Sequence, residues 1–148
     1  MIEFQNVSKV YENGALALDN VSIHIEKGEF ALVVGHSGAG KSTLFKLLTH
    51  EVTPDEGTVI VNDVDVTRLK RSKVPKLRRK IGVVFQDFRL LPNKTVAENI
   101  AFALEVIEEK RSVIKEKVAH VLDLVGLTDK KDDYPQDLSG GEQQRVDI

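Results

Sequence analysis

Eight consecutive residues, Gly35-His36-Ser37-Gly38-Ala39-Gly40-Lys41-Ser42, fit the pattern GxxxxGK[ST] without a gap. Each fixed residue type suits one part of phosphate chemistry. Glycines let the backbone fold tightly enough for successive N–H groups to point inward at phosphate oxygens. Lys41 brings a point charge to the distal phosphates, and the Ser42 hydroxyl is a hard oxygen ligand for Mg²⁺. His36, Ser37 and Ala39 occupy variable positions, and Thr43 completes the stretch expected to face phosphate. A helix beginning at the lysine would also present its positive N-terminus to the anion.

Such a loop works only between a strand and a helix, and both neighbours are predicted. The run "FALVV", residues 30–34, is continuously apolar and ends at Gly35, which suits a strand buried on both faces. "KSTLFKLLTH" follows with Leu44, Phe45, Leu47 and Leu48 at helical spacing. "IGVVF", residues 81–85, reads as a second fully apolar strand. Upstream, "MIEFQNV" and "NVSIHIEKG" alternate, placing Ile2 and Phe4, then Val21, Ile23 and Ile25, on one face each. "PDEGTVIVND" reads as a turn and a short strand.

Beyond residue 87 the texture is helical. Thr95 and Glu98 form a capping box ahead of Val96, Ile100, Ala103, Leu104 and Ile107. Ile114, Val118, Val121, Leu122 and Val125 predict a second amphipathic helix with Gly126 at its C-cap. Ser139 and Glu142 predict a third helix start. In the basic run "RLKRSKVPKLRRK", Val74, Leu77 and Ile81 are expected inward, with the cations in water.

Composition narrows the function classes. A net charge of −2 does not suit a general nucleic-acid binder. With no cysteine there is neither a disulfide nor a thiolate metal site. His24, His36, His50 and His120 show no ligand spacing, and no apolar run approaches the length of a membrane span. Guanine recognition would need Asn-Lys-x-Asp, and the nearest text, Asn93-Lys94-Thr95-Val96, has valine in place of the carboxylate.

The stretch Leu138-Ser139-Gly140-Gly141-Glu142-Gln143 resembles the signature sequence of ABC-type ATPases, about 100 residues after the phosphate loop as in that family. The wording of "SGAGKSTLFKLL", "LRRKIGVVFQDFRLLPNKTVAENIAFALEV" and "YPQDLSGGEQQRV" is similar to the FtsE-type cell-division branch. The resemblance implies an α/β fold of the P-loop NTPase type: an antiparallel β subdomain, parallel core strands and a helical subdomain. It divides the chain at about 1–87, 88–138 and 138–148.

The same resemblance implies ATP and Mg²⁺ as cofactors. Tyr11 would stack on adenine, Gly35 through Thr43 would hold the phosphates, and Ser42 and Gln86 would hold the metal, with Gln86 also positioning water. Ser139, Gly140 and Gly141 would reach the γ-phosphate bound by a second copy in a head-to-tail dimer. The implied partner is the membrane subunit FtsX, with the ATPase on the inner, cytoplasmic face of the membrane and touching it only through that partner. Lipoprotein-releasing and macrolide-exporting ATPases share the general motifs.

The family's acidic strand and switch histidine follow the signature helix, and neither falls within these 148 residues. Asp87, after "IGVVFQ", and Asp63, after "VIVN", are the nearest substitutes; the family places the Asp87 position in the loop after Gln86. The expectation is therefore nucleotide binding without turnover. Asp147 stands where relatives usually carry a small apolar residue, so Asp147 and Ile148 are expected not to be native. The core is expected to be incomplete, leaving apolar strand edges unpaired.

Overall fold

The computed structural model describes residues 1–85 and 87–148. They form two compact units, Met1–Ile81 and Gly82–Ile148.

In the first unit the alternating segments become strands β1 (Ile2–Val10), β2 (Leu16–Ile25), β3 (Glu56–Val61) and β4 (Val64–Asp65). They make one antiparallel sheet in the order β2-β1-β3-β4. Register puts apolar residues opposite one another, Ile2 against Ile25 and Phe4 against Ile23. Such cross-strand pairs fix which face meets the core. Helix α1 (Lys41–Leu48) buries Leu44 and Leu47 in a cluster with Phe4, Val7, Leu18 and Val59. A 3-10 turn, Arg71–Lys73, leads into α2 (Val74–Arg78). Val74 and Leu77 are buried and Ile81 half-buried, while the cations of the segment stay exposed, as the spacing predicts.

The second unit holds α3 (Val96–Val106), α4 (Arg111–Leu124) and α5 (Gly140–Asp147). Val96, Ile100, Leu122, Leu127 and Leu138 form its core. Burying a side chain of this size contributes about 1.5–3 kcal/mol. Both predicted capping boxes are present. Gly126 adopts φ 66, and the Leu127 N–H reaches the Leu122 carbonyl at 2.8 Å, closing the end of α4. The apolar stripe of α3 is only half used. Ala103 and Ile107 are exposed, because core partners meet only the first turns of the helix.

Residues 30–34 and 81–85 are not the expected strands, and no described strand pairs with either. A strand buried on both faces needs hydrogen-bonded neighbours as well as apolar side chains. Without neighbours, Phe30, Leu32 and Val34 are 90%, 76% and 77% exposed.

Candidate functional site

Glycine geometry shapes the loop between Gly35 and α1. Gly38 and Gly40 have φ values of 82 and 83, the left-handed region that glycine enters at little cost. Gly40 is also pressed against β2. A Cβ there would lie 2.3 Å from the Ala17 carbonyl oxygen and 2.9 Å from Leu18 Cδ2. Gly40 is the N-cap of α1 and supplies no side-chain cap. The Thr43 and Leu44 N–H groups return to the Gly40 carbonyl at 2.9 and 3.1 Å. The Lys41 and Ser42 N–H groups, the first of the helix, find no carbonyl acceptor among the described residues. An anion would satisfy them.

Lys41 folds back over the loop. Its Nζ donates to the Gly35 carbonyl at 2.5 Å and the His36 carbonyl at 2.7 Å. These contacts span the hollow of the loop and hold the ammonium at its mouth. His36 Nδ1 lies 2.7 Å from the Ser37 carbonyl. Ser42 is exposed at the helix start, and Thr43 is buried behind it.

Tyr11, from the loop after β1, reaches the same place. Its hydroxyl lies 3.2 Å from Thr43 Oγ1, and Lys46 Nζ sits 5.9 Å from the ring centroid. Tyr11, Leu16, Ser37, Lys41, Ser42 and Lys46 share a cavity of about 580 Å³. An aromatic ring, aliphatic wall, ammonium groups and a hydroxyl thus converge on one space. That set fits a nucleotide, with a flat apolar base at one end and anionic oxygens at the other.

The donor set also fits Mg²⁺. Among the described residues no cluster of three or more His, Cys, Asp or Glu could cage a metal. A lone Ser42 hydroxyl suits an ion that keeps most of its waters and takes its other ligands from phosphate oxygens. Gln86, expected as the other protein ligand, lies outside the described residues. Asp87 is 3.5 Å from Arg89 as an ion pair.

In the second unit, Ser139, Gly140 and Gly141 open α5. The Ser139 N–H donates to Glu142 Oε2 at 2.8 Å and its hydroxyl to the same oxygen at 2.7 Å. Lys130 Nζ holds the other oxygen, Oε1, at 2.7 Å. The Lys130 ammonium, with the Ser139 donors, lowers the Glu142 pKa from 4.5 to about 2. Ser139 therefore caps the helix here, while Gly140 and Gly141 are exposed beside it.

Sequence reasoning missed Asn99. From α3 its side chain accepts the Leu91 N–H at 2.7 Å and donates to the carbonyls of Leu91, Lys94 and Thr95 at 3.2, 3.1 and 2.9 Å. One amide fastens the loop that precedes the helix. Only its spacing from that loop hinted at the role.

The sequence profile of the ABC transporter family matches residues 18–148, and the chain belongs to that family. Within it, the chain is 55% identical over 148 residues to the cell division ATP-binding protein FtsE of Bacillus subtilis, covering all of this chain and 65% of the relative. It is 47% identical over the same length to the methionine import ATP-binding protein MetN of Helicobacter pylori, covering 45% of that protein. Among solved structures, the dimeric post-hydrolysis state of the ATP-binding cassette MJ0796 bound to ADP and Pi superposes with a TM-score of 0.90 at 34% identity. That match covers 99% of this chain and 67% of the cassette. The chain thus spans about two thirds of the length of its FtsE relative.

Proposed function

We propose that the chain is the ATP-binding part of an FtsE-like ABC subunit. The observation that carries this reading is the convergence of a complete phosphate loop and Tyr11 on one cavity. On binding, Lys41 would exchange the Gly35 and His36 carbonyls for phosphate oxygens. The N–H groups of the loop and of the first turn of α1 would complete the cradle. Ser42 would hold Mg²⁺ and Tyr11 would stack on adenine. A bound Mg²⁺ would neutralise phosphate charge. Gln86 is proposed at the metal and the attacking water, and Ser139, Gly140 and Gly141 at the nucleotide of a second copy in a head-to-tail dimer.

In the whole subunit, ATP binding and hydrolysis would act on the membrane partner FtsX in cell division and control of cell-wall hydrolases. The subunit would sit on the cytoplasmic face of the membrane. No helix among the described residues is long and apolar enough to cross it. Residues 87–95, fastened by Asn99, are the proposed contact with FtsX. The similarity to MetN supports a second reading, an importer ATPase. Membrane recruitment of the full-length protein separates the two: dependence on FtsX, lost on substitution within 87–95, is expected for the first. Recruitment without FtsX contradicts it.

Within these 148 residues we propose binding without turnover. Among the described residues, no carboxylate lines the cavity around Lys41. Lacking a positioned base costs on the order of 10²–10⁴ in rate. Phosphate release by the purified chain should match that of Lys41→Ala. Turnover that depends on Lys41 would contradict the proposal and point to Asp87.

A further inference from the structure

The phosphate-loop cavity is not the largest on the first unit. A cleft of about 1020 Å³ opens beside it, walled by residues 9–13, residues 50–53 and the segment from Leu69 to Arg78. Of the residues that line it, only Tyr11 also lines the phosphate-loop cavity.

Charge is segregated at this wall. Residues 68–80 hold eight of the 21 Lys and Arg and none of the 23 Asp and Glu, leaving the remainder of the chain at −10. Val74 and Leu77 anchor the segment in the core and the cations face outward. Arg71 and Arg78 line the cleft; Lys73, Lys76 and Lys80 do not. Arg78 donates to the carbonyls of Thr49 and His50 at 2.9 and 3.4 Å, which fixes its guanidinium, and no described carboxylate forms an ion pair with it. No described carboxylate pairs with Arg71, Lys73, Lys76 or Lys80. Elsewhere in the cleft, charges are engaged or lie in water. Lys9 is paired with Asp55 at 2.9 Å, Glu51 accepts the Thr49 hydroxyl at 2.9 Å, and Glu12 is exposed. Between them lie Val52, Leu69, Val74 and Pro75.

We infer that this cleft docks an extended acidic peptide segment of a partner protein. Its carboxylates meet Arg71 and Arg78, and its apolar side chains settle on Val52, Leu69 and Pro75. Arginine suits this task because its planar fork binds a carboxylate through two N–H groups. A flat anionic membrane would engage Lys73, Lys76 and Lys80 without entering the cleft. A long nucleic acid would meet the −10 remainder within a few screening lengths of about 8 Å. A short peptide meets mainly the local positive charge.

The test uses fluorescence anisotropy of a labelled short peptide alternating Glu and Leu, with a Lys–Leu counterpart as control. Arg71→Glu alters the cleft wall, and Lys80→Glu makes the same charge change outside it. The acidic peptide should bind the parent and the control should not. Arg71→Glu should weaken binding about tenfold or more, and Lys80→Glu by less than about threefold at physiological salt. Circular dichroism verifies that each variant is folded, and Arg71→Ala, expected to lose affinity in the same direction, guards against an artefact of the new carboxylate. Absence of binding to the parent overturns the proposal. So do equal losses in the two charge variants, or binding to phosphatidylglycerol vesicles that the peptide does not displace.

Discussion

Replacing Gly40 with alanine sets two penalties at one residue, and Gly38 separates them. Both glycines sit at nearly the same left-handed φ, 83 and 82. An L-residue there costs roughly 1–2 kcal/mol. At Gly38 nothing lies within 4 Å of an added Cβ, so this dihedral penalty is the whole effect. At Gly40 the Cβ would stand 2.3 Å from the Ala17 carbonyl oxygen, far inside contact distance. Neither side can yield by rotating a side chain. Ala17 belongs to β2, whose neighbouring residues Leu16 and Leu18 are registered against Val10 and Lys9 of β1. Forcing such an overlap costs about 1–3 kcal/mol more.

Gly40→Ala should therefore lose about 2–5 kcal/mol and Gly38→Ala about 1–2. At about 2–4 °C per kcal/mol for a chain of this size, the Tm loss at Gly40 should exceed that at Gly38 by about 2–12 °C. Thermal unfolding followed by circular dichroism reads both. Equal losses, or a larger one at Gly38, would refute the packing of the loop against β2.

Glu142→Gln should lower the urea midpoint at neutral pH. The folded-state pKa of Glu142 is depressed from 4.5 to about 2, so its contribution is present above 4.5 and is lost as pH falls towards 2. The gap between variant and parent should narrow across that window; a gap independent of pH contradicts the Lys130 and Ser139 contacts as its source. Asn99→Ala removes four hydrogen bonds and strands backbone groups of the loop before α3. It should cost about 2–4 kcal/mol and raise amide exchange at Leu91, and unchanged exchange there would dismiss the fastening role.

Local chemistry made part of this legible in the sequence. Thr95 with Glu98, Ser139 with Glu142, and Gly126 each act within a few residues, so their helix ends could be read directly. The alternation in β1 and β2 likewise stated which residues face the core. Residues 30–34 were misleading for a physical reason. Apolar content reports the wish to be buried, whereas a strand also needs a neighbour to accept and donate its hydrogen bonds. Tyr11 shows another limit. Its hydroxyl lies 32 residues from Thr43 along the chain and 3.2 Å from Thr43 Oγ1 in space, and only the family resemblance assigned both residues to one nucleotide. The cleft beside α2 was hidden as well. Spacing assigned the cations to water but could not say that Arg71 and Arg78 share a wall with Val52.

The central claim is that Lys41 and its loop hold the phosphates of ATP. Isothermal titration calorimetry of the purified chain with ATP and Mg²⁺, alongside Lys41→Ala, tests it most directly. Parent chain should bind one nucleotide, and the variant should lose at least about tenfold in affinity with the charge-assisted contacts. Equal affinity in the two proteins would contradict the account.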